Sequence, residues 1–141
     1  MSEEDVDRFI EATEAFNRLT EAPEAFDPRA LEDFLGVMDP EVQFEPQQAA
    51  LEGGYVGHEG VMQWLADLAQ HYKGGDIHCP DIRDLEDQVL ALGTLRVIGR
   101  GSGIEAEVPV AIVASFRDGL ITHFKDYGDK GQALEAAGLS E

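Results

Sequence analysis

The chain carries a single cysteine, Cys79, in 141 residues. No intrachain disulfide can form, so a buried core must hold the fold, and the shortage fits a reducing compartment. Long apolar runs are missing as well, since none approaches the roughly 18 consecutive residues that a membrane-spanning helix needs. The first nine residues read MSEEDVDRF, acidic where a secretory signal would be basic and then apolar. Together these absences read as a cytoplasmic protein. Basic residues are scarce too: 10 Lys and Arg stand against 29 Asp and Glu, a formal net charge of −19. A field of that sign repels phosphate backbones and anionic lipids, so neither nucleic acid nor a membrane surface is an expected partner. The acids are scattered along the chain and read as a solubilising shell.

What is present is ordinary for a globular protein, with 43% apolar and 28% charged residues. One domain spanning residues 1–141 is expected, long enough to bury a substantial core. Val6, Phe9, Ile10, Thr13, Phe16 and Thr20 recur at helical spacing, which predicts a first helix stopping before Pro23. Asp27-Pro28 opens a second, with Asp27 as cap, Pro28 in the first turn, and Leu31, Phe34, Leu35 and Met38 inward. Asp39-Pro40 is expected to end it, and Val42 and Phe44 suggest a short strand. Residues 47–57 read as irregular, and Val61, Trp64, Leu65, Leu68 and Tyr72 line a third helix closed by Gly74-Gly75.

From Ile77 the period changes to that of strands. Ile77–Asp84, Val89–Ile98, Glu105–Phe116 and Leu120–Tyr127 are joined by short turns, and Pro109 argues for an edge or a bulge. Asp129, with Gln132 three residues on, can cap a last short helix that Gly138 closes. Helices segregated from a meander predict an α+β fold whose sheet buries one face against the helices.

Three stretches carry a resemblance: Asp39-Pro40-Glu41-Val42, Gly57-His58-Glu59-Gly60-Val61, and Phe116-Arg117-Asp118-Gly119 through Tyr127. With the closing Ala133–Leu139 they are similar to SnoaL-like proteins of the nuclear transport factor 2-like superfamily, which includes ketosteroid isomerases, polyketide cyclases and limonene-epoxide hydrolases. The resemblance runs from about Val6 to Leu139. It implies a cone: a curved, mainly antiparallel sheet wrapped around N-terminal helices, with an internal pocket. It further implies a small apolar or polycyclic ligand, chemistry without a cofactor, and a homodimer formed through the outer face of the sheet. Ligand binding without turnover, or a protein-interaction role for the same fold, are the alternatives.

Site residues follow from the same comparison. Limonene-epoxide hydrolases end their last strand with an Asp that helps activate water, and Asp126 matches it. Their Arg-x-Asp pair on an earlier strand is matched only by Arg96, within Thr94-Leu95-Arg96, without the acid. Ketosteroid isomerases set a base carboxylate before a proline on the first strand, which Glu45-Pro46 matches, whereas their helix-borne Tyr falls near Phe16. Asp126, Arg96 and Glu45 are thus the catalytic candidates. Strand alternation places Leu120, Thr122, Phe124 and Asp126 on one face, and likewise Thr94 and Arg96. An Arg96–Asp126 ion pair across the sheet is one expectation; a solvent-facing Arg96 is the other. Phe124, Trp64, Tyr55, Phe44, Phe16 and Thr94 are the candidate ligand contacts. The four histidines show no ligand spacing, so no metal is expected.

Overall fold

The computed structural model describes residues 2–21, 27–47 and 54–139. Helix α1 (Ser2–Glu21) and helix α2 (Pro28–Gly36) precede strand β1 (Met38–Glu45) and a two-residue strand β2 (Tyr55–Val56). Helix α3 (Gly57–His71) leads directly into β3 (Tyr72–Asp84), followed by β4 (Gln88–Gly99), β5 (Glu105–Arg117), β6 (Leu120–Asp126) and helix α4 (Lys130–Ala136). The six strands form one open, curved sheet in the order β2-β1-β6-β5-β4-β3. All neighbours are antiparallel except β1 and β6. This is the α+β cone that the sequence predicts.

Local chemistry accounts for the helix starts. Asp27 accepts hydrogen bonds from the Arg29 and Ala30 N–H groups, with Pro28 at the first helical position. Asp129 accepts from the Gln132 N–H at 3.2 Å. The α3 start is tied to β1 by His58, whose Nε2 donates to the Met38 carbonyl at 2.8 Å.

Three boundaries differ from the sequence reading, each for a tertiary reason. Met38-Asp39-Pro40, expected to close α2, opens β1, because Val37 already caps the helix and accepts from the Ile121 N–H at 2.9 Å. Pro40 is tolerated there since the β1–β6 register is broken between Met38 and Gln43. Gly74-Gly75, expected to follow a helix, lie inside β3, where a Cβ on Gly75 would come within 2.6 Å of the Arg96 carbonyl oxygen. Tyr55-Val56 pair with β1, whereas the rest of the stretch read as irregular includes residues 48–53, which lie outside the described residues, as does Pro23. Pro109 pairs with Thr94 in β5, but β6 reaches only to Ile112, so the β6 side of β5 is an edge at Pro109.

The free edge of the sheet at β3 is covered by α1. The Asn17 amide donates to the Ile77 carbonyl at 3.0 Å and accepts the Ile77 N–H at 2.8 Å, as a neighbouring strand would. Thr20 adds a hydrogen bond to the Gly75 carbonyl at 2.7 Å. The stretch of the edge satisfied in this way, from Gly75 to Ile77, is not available to pair with another chain.

Strand β5 is buried on both faces. Val110, Ile112 and Ala114 join the main core inside the cone, with Phe9, Phe16, Phe44 and Trp64. Ala111 and Val113 point outward and are sealed with Leu90 beneath Ala133 and Leu134 of α4. The apolar strip that the sequence would leave on the outer sheet face is therefore covered by the chain's own last helix.

Candidate active site

Residues of α1, α2, α3 and five strands enclose a cavity of about 270 Å³. Its aromatic wall is assembled from four elements. Phe16 of α1 stacks on Trp64 of α3 (centroids 5.7 Å apart), Trp64 meets Phe44 of β1 at 4.9 Å, and Phe44 stacks on Phe124 of β6 at 4.6 Å. Such offset and tilted arrangements are favourable beyond their buried area. Leu95, Val97 and Ile112 supply aliphatic walls. The Trp64 Nε1 is buried without a hydrogen-bond partner among the described residues, so the ring holds its place by packing alone. A second hollow of about 300 Å³ lies behind Phe16, Tyr72, Leu95 and Val97, which the two share.

Asp126 lies at the cavity, at the last residue of β6. Its Oδ1 accepts from the N–H groups of Ala111 and Gly128, both at 2.9 Å. Its Oδ2 accepts from the Gln47 amide at 3.0 Å, and the same Gln47 nitrogen donates to the Pro109 carbonyl at 2.7 Å. One oxygen thus fastens β5 to the turn after β6, and the other, held by one donor among the described residues, has an acceptor site that no described residue fills. Among the described lining residues Asp126 is the only carboxylate, and none is Lys, Arg or His.

The structure gathers Asp126, Phe124, Trp64, Phe44 and Phe16 around this space and separates the remaining sequence candidates from it. Arg96 points the other way: its neighbours Leu95 and Val97 are the cavity walls, and its guanidinium pairs with Asp76 at 2.7 Å and Glu105 at 3.0 Å. The Arg96–Asp126 pair therefore does not exist. The hydrogen bonds that Arg96 donates to Glu105 and Asp76 raise its pKa further. Thr94, two residues before it, is exposed on the same outer face. Glu45 is also outside, because alternation sends its neighbour Phe44 inward. It accepts from His123 Nε2 at 2.5 Å and lies 3.7 Å from Lys125 Nζ. The His123 hydrogen bond, with help from Lys125, holds its carboxyl below the usual range. That makes Glu45 a firmly ionised surface acid and not a base for the cavity. Tyr55 packs behind the wall, and its hydroxyl donates to Asp67 at 3.1 Å.

Strand β6 departs from simple alternation. The β5–β6 register shifts between Ser115 and Phe116, so Ile121, expected outside, is fully buried and lines the cavity with Phe124 and Asp126. Gln47 was not distinguishable in the sequence from the glutamine beside it; a polar residue just after a strand-ending proline was its one signal. Cys79 is not a nucleophile here: burial, then the Asp126 charge, pushes its thiol up to about 11. Among the described residues no three His, Cys, Asp or Glu side chains come together as a metal site.

An acid at the rim of an apolar cone is the arrangement the resemblance implied, and the family model for the SnoaL-like domain matches residues 19–124. The chain belongs to the SnoaL-like family. This SnoaL-like domain superposes on an NTF2-like protein of unknown function from Burkholderia pseudomallei K96243 with a TM-score of 0.75 and 20% identity, over 94% of this chain and 95% of that one. TerC co-crystallised with polyporic acid gives a TM-score of 0.74 at 20% identity, covering 96% and 98% of the two chains. A putative polyketide cyclase from Xanthomonas campestris pv. campestris gives 0.71 at 16% identity, covering 96% and 98%. No curated protein matches the SnoaL-like chain. Among the described residues no helix is long and apolar enough to cross a membrane.

Proposed function

We propose that this SnoaL-like domain binds a small apolar or polycyclic molecule in the 270 Å³ cavity, its body between the rings and its polar group at Asp126 Oδ2. The observation that carries this reading is one carboxylate placed against a wall that is mainly apolar and aromatic, with Thr13, Gln47 and Tyr72 its other polar residues among those described. A structural neighbour that holds polyporic acid and another described as a putative polyketide cyclase are consistent with a cavity of this use. Asp126 is the group positioned to take a proton from a bound carbon acid, with no cofactor called for. Binding without turnover is the second reading. It is favoured by the two backbone donors already on Oδ1 and by the outward position of Arg96 and Glu45.

A single neutral ketone, 2-tetralone, tests both. Trp64 is the only tryptophan of the chain and forms part of the wall, so its emission reports occupancy. Binding should change that emission, and exchange of the ketone α-protons in D₂O, followed by NMR, should be accelerated. In Asp126→Asn the exchange should fall by about 100-fold while the binding constant stays within about threefold. Unchanged Trp64 emission at saturating ketone would remove the cavity reading. Binding with exchange equal in both proteins would leave the non-catalytic reading.

We also propose a homodimer through the part of the outer sheet face that α4 leaves open, a surface that includes the Arg96 and Glu45 ion pairs. A monomer mass by light scattering at micromolar concentration would refute it.

A further inference from the structure

The groups that meet at the cavity are electrostatically one-sided. Asp126 brings a negative charge, and among the described residues no cationic side chain lines the space to balance it. The donors on Asp126 are all neutral: the Ala111 and Gly128 N–H groups and the Gln47 amide, whose nitrogen also serves Pro109. Lys125, the basic residue next in sequence, is committed to the outer face, where it lies 3.7 Å from Glu45 and sits over the Tyr127 ring. The rings of Phe16, Phe44, Trp64 and Phe124 line the same space, so the surroundings of the carboxylate are largely aromatic and bring no positive charge. The formal net charge of −19 extends the same sign to the approach.

From this charge arrangement we propose that the cavity selects lipophilic amines in their protonated form, with the ammonium at Asp126 Oδ2 and the hydrocarbon body among the four rings. This rests on the small-molecule reading above and names the ligand class for the same site. The ammonium supplies the counter-charge that the wall omits, and it donates to the acceptor site that Gln47 leaves free. Aromatic faces beside a cation are attractive where water is excluded. A ligand carboxylate in that position would meet an unneutralised carboxylate across a short distance, and a neutral hydroxyl would gain only one hydrogen bond.

Three probes with the same rigid cage separate these cases: 1-adamantylamine, 1-adamantanol and 1-adamantanecarboxylate, titrated at pH 7 by calorimetry with Trp64 emission as a second readout. The amine should bind about tenfold or more tighter than the alcohol, and the carboxylate about tenfold or more weaker, one ion pair gained or opposed in a partly dry site. In Asp126→Asn the amine should lose its advantage while the alcohol stays within about threefold. Should that variant fold poorly, the wild-type protein answers by salt: amine affinity should fall with ionic strength and alcohol affinity should not. An amine no better than the alcohol, a carboxylate as tight as the amine, or an amine preference that survives in Asp126→Asn would each overturn the assignment of ligand class and leave the cavity reading intact. No binding of any of the three would overturn both.

Discussion

Gly93→Ala is expected to destabilise the fold by about 3 kcal/mol or more, at the upper end of what forced overpacking costs. A Cβ at this position would come closer than any van der Waals contact to the His78 carbonyl oxygen and within 2.6 Å of the Cys79 Cα. Both obstacles are backbone, so no side-chain rotation relieves the clash. The cause is a register shift in β3 between His78 and Asp81 that folds this strand down over β4. Gly93 itself pairs in unbroken register with Val110 of β5, so β4 cannot slide away without losing its other neighbour. Two residues on, Leu95 and then Val97 form cavity wall, so the same substitution should weaken ligand binding in whatever fraction still folds. Urea unfolding followed by circular dichroism measures the effect. A midpoint equal to wild type would show that the two strands do not approach as described.

The second large effect is expected at Phe44. The side chain is 1% exposed and links the aromatic series, contacting Trp64 on one side and Phe124 on the other. Removing a buried phenyl ring costs roughly 3–5 kcal/mol, because the transfer free energy is lost and the space left behind collapses only in part. Against a total stability of about 5–15 kcal/mol for a typical domain, Phe44→Ala should be close to unfolding. The loss should be larger than usual in its structural consequence, since the site adjoins an existing 270 Å³ cavity into which the neighbouring rings can lean. Phe44→Leu, which refills most of the space, should recover more than half of the lost stability. A loss below about 1 kcal/mol for Phe44→Ala would mean that the rings do not carry the core in the way their contacts imply.

These two positions differ in how far they could be read from the chain. Phe44 stands out in the sequence as an apolar residue in a strand-like stretch, and strand alternation puts it opposite Glu45. Gly93 carries no such sign, because its requirement comes from a strand that arrives out of register. The same contrast runs through the site. Asp126 and Phe124 lie two apart on a strand and share a face for a local reason. Local pattern alone allows an Arg96–Asp126 pair across the sheet, but which face of β4 turns inward depends on pairing and curvature. The helices cover the face that bears Leu95 and Val97, so Arg96 must lie outside, with Asp76 and Glu105. Ile121 joined the inner face through a one-residue shift against β5 that no periodicity reveals.

By itself the order of residues determined most of the helical and strand segments and the caps at Asp27 and Asp129, since these depend on interactions within a few positions along the chain. The order of those segments, with a few local motifs, pointed to the class of fold and the family. Tertiary structure decided which polar groups meet the cavity. Burial of the larger apolar surface selects the inner face of each strand, and the bulges and the covering helix then choose Asp126 and Gln47 for the rim and send Glu45, Thr94 and Arg96 to water.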